Sequence, residues 1–171
     1  MSQGVPVKEL MRKALAEAER GDGFSSAALG SLVITVFDRA SNAQNAEAMS
    51  RILTQAARAN PTLAVLTVVG PDCTVPDATV RNRLTSQVQS IQKQMLAAVT
   101  VIEGSGFRTA AVRGVVTGMT MLLKASSSYP AKTFATVPEA ADFLAGIVSI
   151  GAEDITNAVK QLRAAGLNQD A

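Results

Sequence analysis

Histidine is absent from this chain of 171 residues, and cysteine occurs once, as Cys73. Without histidine the usual general base at neutral pH is missing, together with every Ser-His or Cys-His nucleophile and histidine-ligated zinc. A lone cysteine forms no disulfide within the chain and no cysteine-rich metal site. There is no tryptophan, and one tyrosine and five phenylalanines leave few rings for stacking on bases. Charge of one sign is lacking too: 16 Lys and Arg stand against 14 Asp and Glu, a net +2. That balance argues against nucleic acid or an anionic membrane as the partner. The longest helical apolar stretch, 109–123, is interrupted by Arg113 and is too short to cross a bilayer. Lys8, Glu9, Arg12, Lys13 and Glu17 break up the amino-terminal apolar residues, which do not read as a signal peptide. These exclusions predict a cytoplasmic protein with no transmembrane segment. No motif implies a cofactor, and any catalysis would fall to carboxylates, Lys, Arg, hydroxyls or a bound ion.

Hydrophobic residues make up 47% of the chain and charged ones 18%, enough to predict one domain over 1–171 with a real core. Three short apolar runs organise it: 32–37 before Asp38, 63–69 before Asp72, and 97–102 before Glu103. Val, Ile and Leu dominate them without strict alternation, as in strands buried on both faces of a parallel sheet. Helix-like stretches between them supply the crossovers. With a short edge strand at 132–135, the fold predicted is α/β: a mostly parallel four-stranded sheet with βαβ crossovers over 29–148. An amino-terminal helical extension (1–24) and a carboxyl-terminal helix pair, the last member at 152–166 and stopping at Gly166, complete it.

The helices carry their own signals. Ser41 with Gln44 forms a capping box for a helix over 42–59. Thr74-Val75-Pro76-Asp77 opens another that reaches about Met95, with a narrow apolar stripe of Val80, Leu84, Val88, Ile91 and Met95. The close match between that opening and Thr136-Val137-Pro138-Glu139 reads as one capping chemistry used twice. The helix at 106–124 is apolar over more than half its circumference, so the expectation is cover on two sides. The sheet is one cover; the first helix, the terminal helices or a second subunit is the other. Gly114 and Gly118 lie four apart on one edge, where another backbone can approach closely.

Parallel sheets bind ligands beyond the carboxyl ends of their strands, and Asp38, Asp72 and Glu103 all fall there. Converging, they would hold Mg²⁺, which takes oxygen ligands. Acids also occupy turns and helix starts for local reasons, and Arg39 stands where a receiver-type phosphorylation site would have a second acid. Glu103-Gly104-Ser105-Gly106-Phe107-Arg108 joins a strand to a helix, where glycines, a hydroxyl and an arginine can cradle an anion. Thr109 occupies the place of the third glycine of a dinucleotide fingerprint, so that motif fails. Arg108 either snorkels off the helix end or points into the cleft. Cys73 reads as a packed thiol.

The segment Lys132-Thr133-Phe134-Ala135-Thr136-Val137-Pro138-Glu139-Ala140-Ala141-Asp142-Phe143-Leu144 resembles the ending of SpoIIAA-like domains of the STAS family. In those domains a short strand with phenylalanine precedes a capped helix closed by an aromatic-Leu pair. The order of elements over 29–148 is similar as well. The resemblance implies a protein–protein regulatory role, switched in that family by phosphorylation at a helix start. Asp72-Cys73-Thr74 echoes the family's Asp-x-Ser/Thr element, but Val75-Pro76-Asp77 departs from its continuation. Relation to Sec14-type lipid-binding domains implies an apolar cavity as a further possibility.

The expectation is therefore a non-enzymatic regulatory or interaction module that binds another protein, with helix 106–124 as a homodimer face. Binding residues would be Thr74, Glu103, Ser105, Gly106 and Arg108. The alternative is a carrier or sensor of a small apolar or anionic ligand. A third class is a Mg²⁺-dependent phosphoryl-transfer enzyme built on Asp38, Asp72 and Glu103.

Overall fold

A computed structural model describes residues 5–39, 41–125 and 128–168, so positions 1–4 of the amino-terminal extension lie outside the described residues. In chain order the elements are α1 (Val7–Ala16), β1 (Glu19–Gly21), β2 (Phe24–Leu29), β3 (Leu32–Phe37), α2 (Ala43–Ala59) and β4 (Leu63–Val69). There follow α3 (Ala78–Ser90), a 3₁₀ turn (Gln92–Gln94), β5 (Met95–Ile102), α4 (Phe107–Lys124), β6 (Ala131–Phe134), α5 (Val137–Ala145) and α6 (Ala152–Leu167).

The α/β class holds, but the sheet has six strands in the order β1-β2-β3-β4-β5-β6 and is mixed, correcting the four-stranded, mostly parallel expectation. The strands β3 to β6 are parallel, whereas β1, β2 and β3 form an antiparallel meander. Two-residue loops, Asp22-Gly23 and Gly30-Ser31, join the meander, with Gly23 and Gly30 at φ +58° and +60°. The two extra strands escape a propensity reading because β1 is Glu-Arg-Gly and β2 is Ser- and Ala-rich, compositions poor in β-branched residues.

Helices cover both faces. Ala14 of α1, Ala140 and Leu144 of α5, and Ile155, Val159 and Leu162 of α6 pack on Leu32, Ile34, Leu66 and Val99. On the other face α2 brings Met49, Ile52 and Leu53, α3 brings Leu84 and Val88, and α4 brings Val112 and Val116 onto Val33, Val65 and Ala98. The strand β4 is buried along almost its whole length, which explains a run that is apolar except at Thr67.

Capping follows side-chain geometry rather than the first hydroxyl available. The Asn42 side chain, not Ser41, accepts the Asn45 N–H (2.9 Å). Asp77 accepts the Val80 N–H (2.8 Å), so α3 begins after the Thr74 segment and ends at Ser90, short of Met95. Thr136 accepts from Glu139 N–H and donates to its carboxylate, a reciprocal capping box. Gly166 lies inside α6 rather than stopping it. A Cβ there would stand 2.9 Å from the Phe24 carbonyl oxygen, so the residue permits close approach of α6 to β2.

Helix α4 departs furthest from expectation. Only Thr109 and Val112 are buried, and Phe107 (92% exposed), Met121 and Leu122 face outward. Among the described residues neither the first helix nor the terminal helices supply the second cover, because α1, α5 and α6 pack on the opposite face of the sheet. No helix among the described residues is long and apolar enough to cross a membrane.

Candidate functional site

At the carboxyl edge of the sheet the structure brings two of the three predicted acids together and adds a residue that local patterning did not single out. Arg163 of α6 donates from Nε to both Asp38 oxygens (3.0 and 3.1 Å) and from Nη1 and Nη2 to Glu103 (3.4 and 2.6 Å). The three side chains retain 29%, 13% and 24% of their exposure (Arg163, Asp38 and Glu103), so the network is largely withdrawn from water. Burial pushes the Asp38 carboxyl above its ordinary range, and the Arg163 guanidinium opposes that rise. For Arg163, burial acts to lower the pKa, but hydrogen bonds to Glu103 and Asp38 outweigh it and the net shift is upward. Gly70, just beyond β4, leaves room for this arrangement, since a Cβ there would stand 2.5 Å from Asp38 Oδ1.

Asp72 stays in an exposed turn and does not join them. Among the described residues no group of three His, Cys, Asp or Glu side chains converges to hold a metal ion. Chemically the pair Asp38–Glu103 is neutralised by a fixed cation and reads as a clamp between β3, β5 and α6. A basic residue on the margin of a buried helical stripe was the available signal: Arg163 follows Leu162 and lies one turn after Val159.

The loop 103–108 has the backbone of a sharp turn, with Gly104 at φ +90° and Gly106 at φ +97°. A Cβ at Gly104 would meet the Pro71 Cβ at 2.7 Å, which ties the loop to the turn after β4. Ser105, Gly106 and Arg108 are exposed, and Arg108 is not enclosed in the cleft. Thr74 sits apart from them, its hydroxyl accepting the Ser41 N–H at 3.5 Å. The five predicted binding residues therefore do not form one constellation.

A cavity of about 130 Å³ lies instead between the sheet, α3 and α4. Its floor is Val65, Thr67 and Val69 of β4, Ala98 and Thr100 of β5, and Ala131 of β6. Val112, Val116, Met119, Thr120 and Leu123 of α4 roof it, and Leu84 and Val88 of α3 close one side. Cys73 and Thr74 stand at the rim near the carboxyl edge. The space arises where small residues, Ala98 and Ala131, face a helix held to the sheet by few side chains. Burial, aided by the Asp38 charge, pushes the Cys73 thiol up to about 11, so it stays protonated at neutral pH. The lining is apolar apart from hydroxyls, the Cys73 thiol and Lys132, and a space of this size accommodates about one small ring. The chain matches no protein-family model, and neither curated proteins nor solved structures gave a match.

Proposed function

We propose that the protein is a non-enzymatic carrier or sensor of a small, largely apolar molecule held between α4 and the sheet. The observation that carries this reading is the cavity of about 130 Å³ beneath a helix with only two buried residues. Such a helix can shift over a ligand at low cost, because few packed side chains hold it in place. Apart from Lys132, whose ammonium lies over the Phe143 ring, the side chains around the cavity offer hydroxyls and a protonated thiol, a set suited to binding rather than to acid–base chemistry. The phosphoryl-transfer reading finds little support, since the Arg163 guanidinium bridges Asp38 and Glu103 where Mg²⁺ would need both.

A regulatory role through partner proteins is the second reading, and Phe107, Met121 and Leu122 on the outer face of α4 favour it. The likeness of 132–144 to SpoIIAA-like endings supports the same class. In that scheme ligand occupancy below α4 is read out above it.

Benzene is the direct probe. At ten times its Kd it should raise stability by about 1.4 kcal/mol, a melting shift of roughly 3–6 °C for a chain of this size. Ala98→Leu, which fills the floor, should abolish the shift. A wild-type protein that gains nothing from benzene, or an Ala98→Leu protein that gains as much, overturns the reading.

A further inference from the structure

The floor of the cavity is crossed by a row of hydroxyls set by strand register. Ser26 of β2 pairs with Thr35 of β3, Thr35 with Thr67 of β4, Thr67 with Thr100 of β5, and Thr100 with Thr133 of β6. The two-residue period of each strand places Thr35, Thr67 and Thr100 on the α2/α3/α4 face, alongside Val33, Val65 and Ala98. At the buried end the row satisfies itself: Ser26 and Thr35 are fully enclosed and share a hydrogen bond of 2.8 Å. At the other end Thr133 is exposed. Between them Thr67 and Thr100 are half-buried, line the cavity, and make no side-chain hydrogen bond among the described residues.

Two neighbouring hydroxyls on adjacent strands, about 5 Å apart, therefore open into an otherwise apolar space. An oxygen placed between them can lie within about 2.8 Å of both. A bound hydrocarbon that shuts water away from these half-buried hydroxyls leaves each without a partner, at a cost on the order of 1–3 kcal/mol, so a ligand that supplies a partner is selected over a plain hydrocarbon. Charge on that ligand is disfavoured. No carboxylate lines the cavity among the described residues, and the Lys132 ammonium lies 4.7 Å from the Phe143 ring centroid, on the face where Phe134 packs. An ion there would lose its hydration with no countercharge to replace it.

Building on the cavity reading above, we infer that the site takes a neutral one-ring molecule bearing a single hydroxyl or carbonyl, held by Thr67 and Thr100. Phenol and benzene separate this from simple apolar filling. In protein-observed NMR titrations, wild type should bind phenol more tightly than benzene. The Thr67→Val/Thr100→Val double variant, which keeps the shape and the β-branching, should lose roughly tenfold in phenol affinity and keep or improve its benzene affinity. Thr133→Val, in the same row but outside the cavity, should leave both unchanged. If benzene binds but phenol affinity survives in the double variant, the hydroxyl assignment falls and the apolar cavity stands. If neither probe binds wild type, both fall together.

Discussion

Removing the Arg163 guanidinium tests the clamp at the carboxyl edge most directly. In Arg163→Ala two carboxylates, Asp38 and Glu103, stay where folding puts them but lose the cation that spans them. Fully buried pairs cost about 3–5 kcal/mol when one partner is removed, and fully exposed pairs cost about 0.2–1 kcal/mol. With exposures of 29%, 13% and 24%, this network lies between, nearer the buried limit, and the expected loss is roughly 2–3 kcal/mol at pH 7. That corresponds to a fall of roughly 4–12 °C in melting temperature. The pH dependence has a definite sign. Burial raises the folded-state pKa of Asp38 above its ordinary 3.8, so the folded chain binds that proton more tightly than the unfolded chain. Stability from this group is fully present below the unfolded value and is lost as pH rises through the folded one. Without Arg163 the opposition to that rise is gone and the folded value climbs further. The deficit of the variant is therefore largest at neutral pH and narrows as acid protonates Asp38. Urea unfolding followed by far-UV circular dichroism suits a chain without tryptophan. A loss below about 0.5 kcal/mol at pH 7, typical of exposed pairs, or a deficit that widens on acidification, refutes the reasoning. An Asp38→Asn/Glu103→Gln background should make Arg163→Ala much less costly, which isolates the coupling.

Two further outcomes follow from local geometry. Gly166→Ala should destabilise by roughly 1–2 kcal/mol, because the Cβ contact with the Phe24 backbone outweighs the better helix propensity. The same change at Gly118, where a Cβ meets nothing within 4 Å, should stabilise by about 0.5–1 kcal/mol; thermal melts that rank the two the other way contradict the packing of α6 or α4. Cys73, with its thiol pushed up to about 11, should be thiolate in only about one molecule in a thousand at pH 8. Iodoacetamide should label it slowly in the native protein and quickly in urea, and equal rates would show that the thiol is not enclosed.

Much of the architecture was legible because burial leaves a one-dimensional trace. A strand covered on both faces is apolar at nearly every position, and β3, β4 and β5 are readable as such from runs dominated by Val, Ile and Leu, each interrupted by a single threonine. Thr136 with Glu139 announces the start of α5 through a capping box confined to four residues. The strands β1 and β2 left no such trace. Their place in the sheet comes from backbone pairing, β2 on β3 and β1 on β2, and the one side-chain bond that supports it here, Ser26 to Thr35, joins residues no local period links. The Asp22-Gly23 loop was a hairpin signal readable instead as the end of α1.

The sequence by itself determined the α/β class, the buried strands and the absence of histidine chemistry, since each depends on residue type or local period. Tertiary structure alone decided which residues meet. Arg163 is 125 positions from Asp38 and 60 from Glu103, and no local rule links them. Thr67 and Thr100 become a pair only through parallel register, and α4 becomes a roof only because it shares the α2/α3 face while α1, α5 and α6 pack on the opposite one. Register and helix side are set by the balance of packing over the whole sheet, a sum that no segment carries alone.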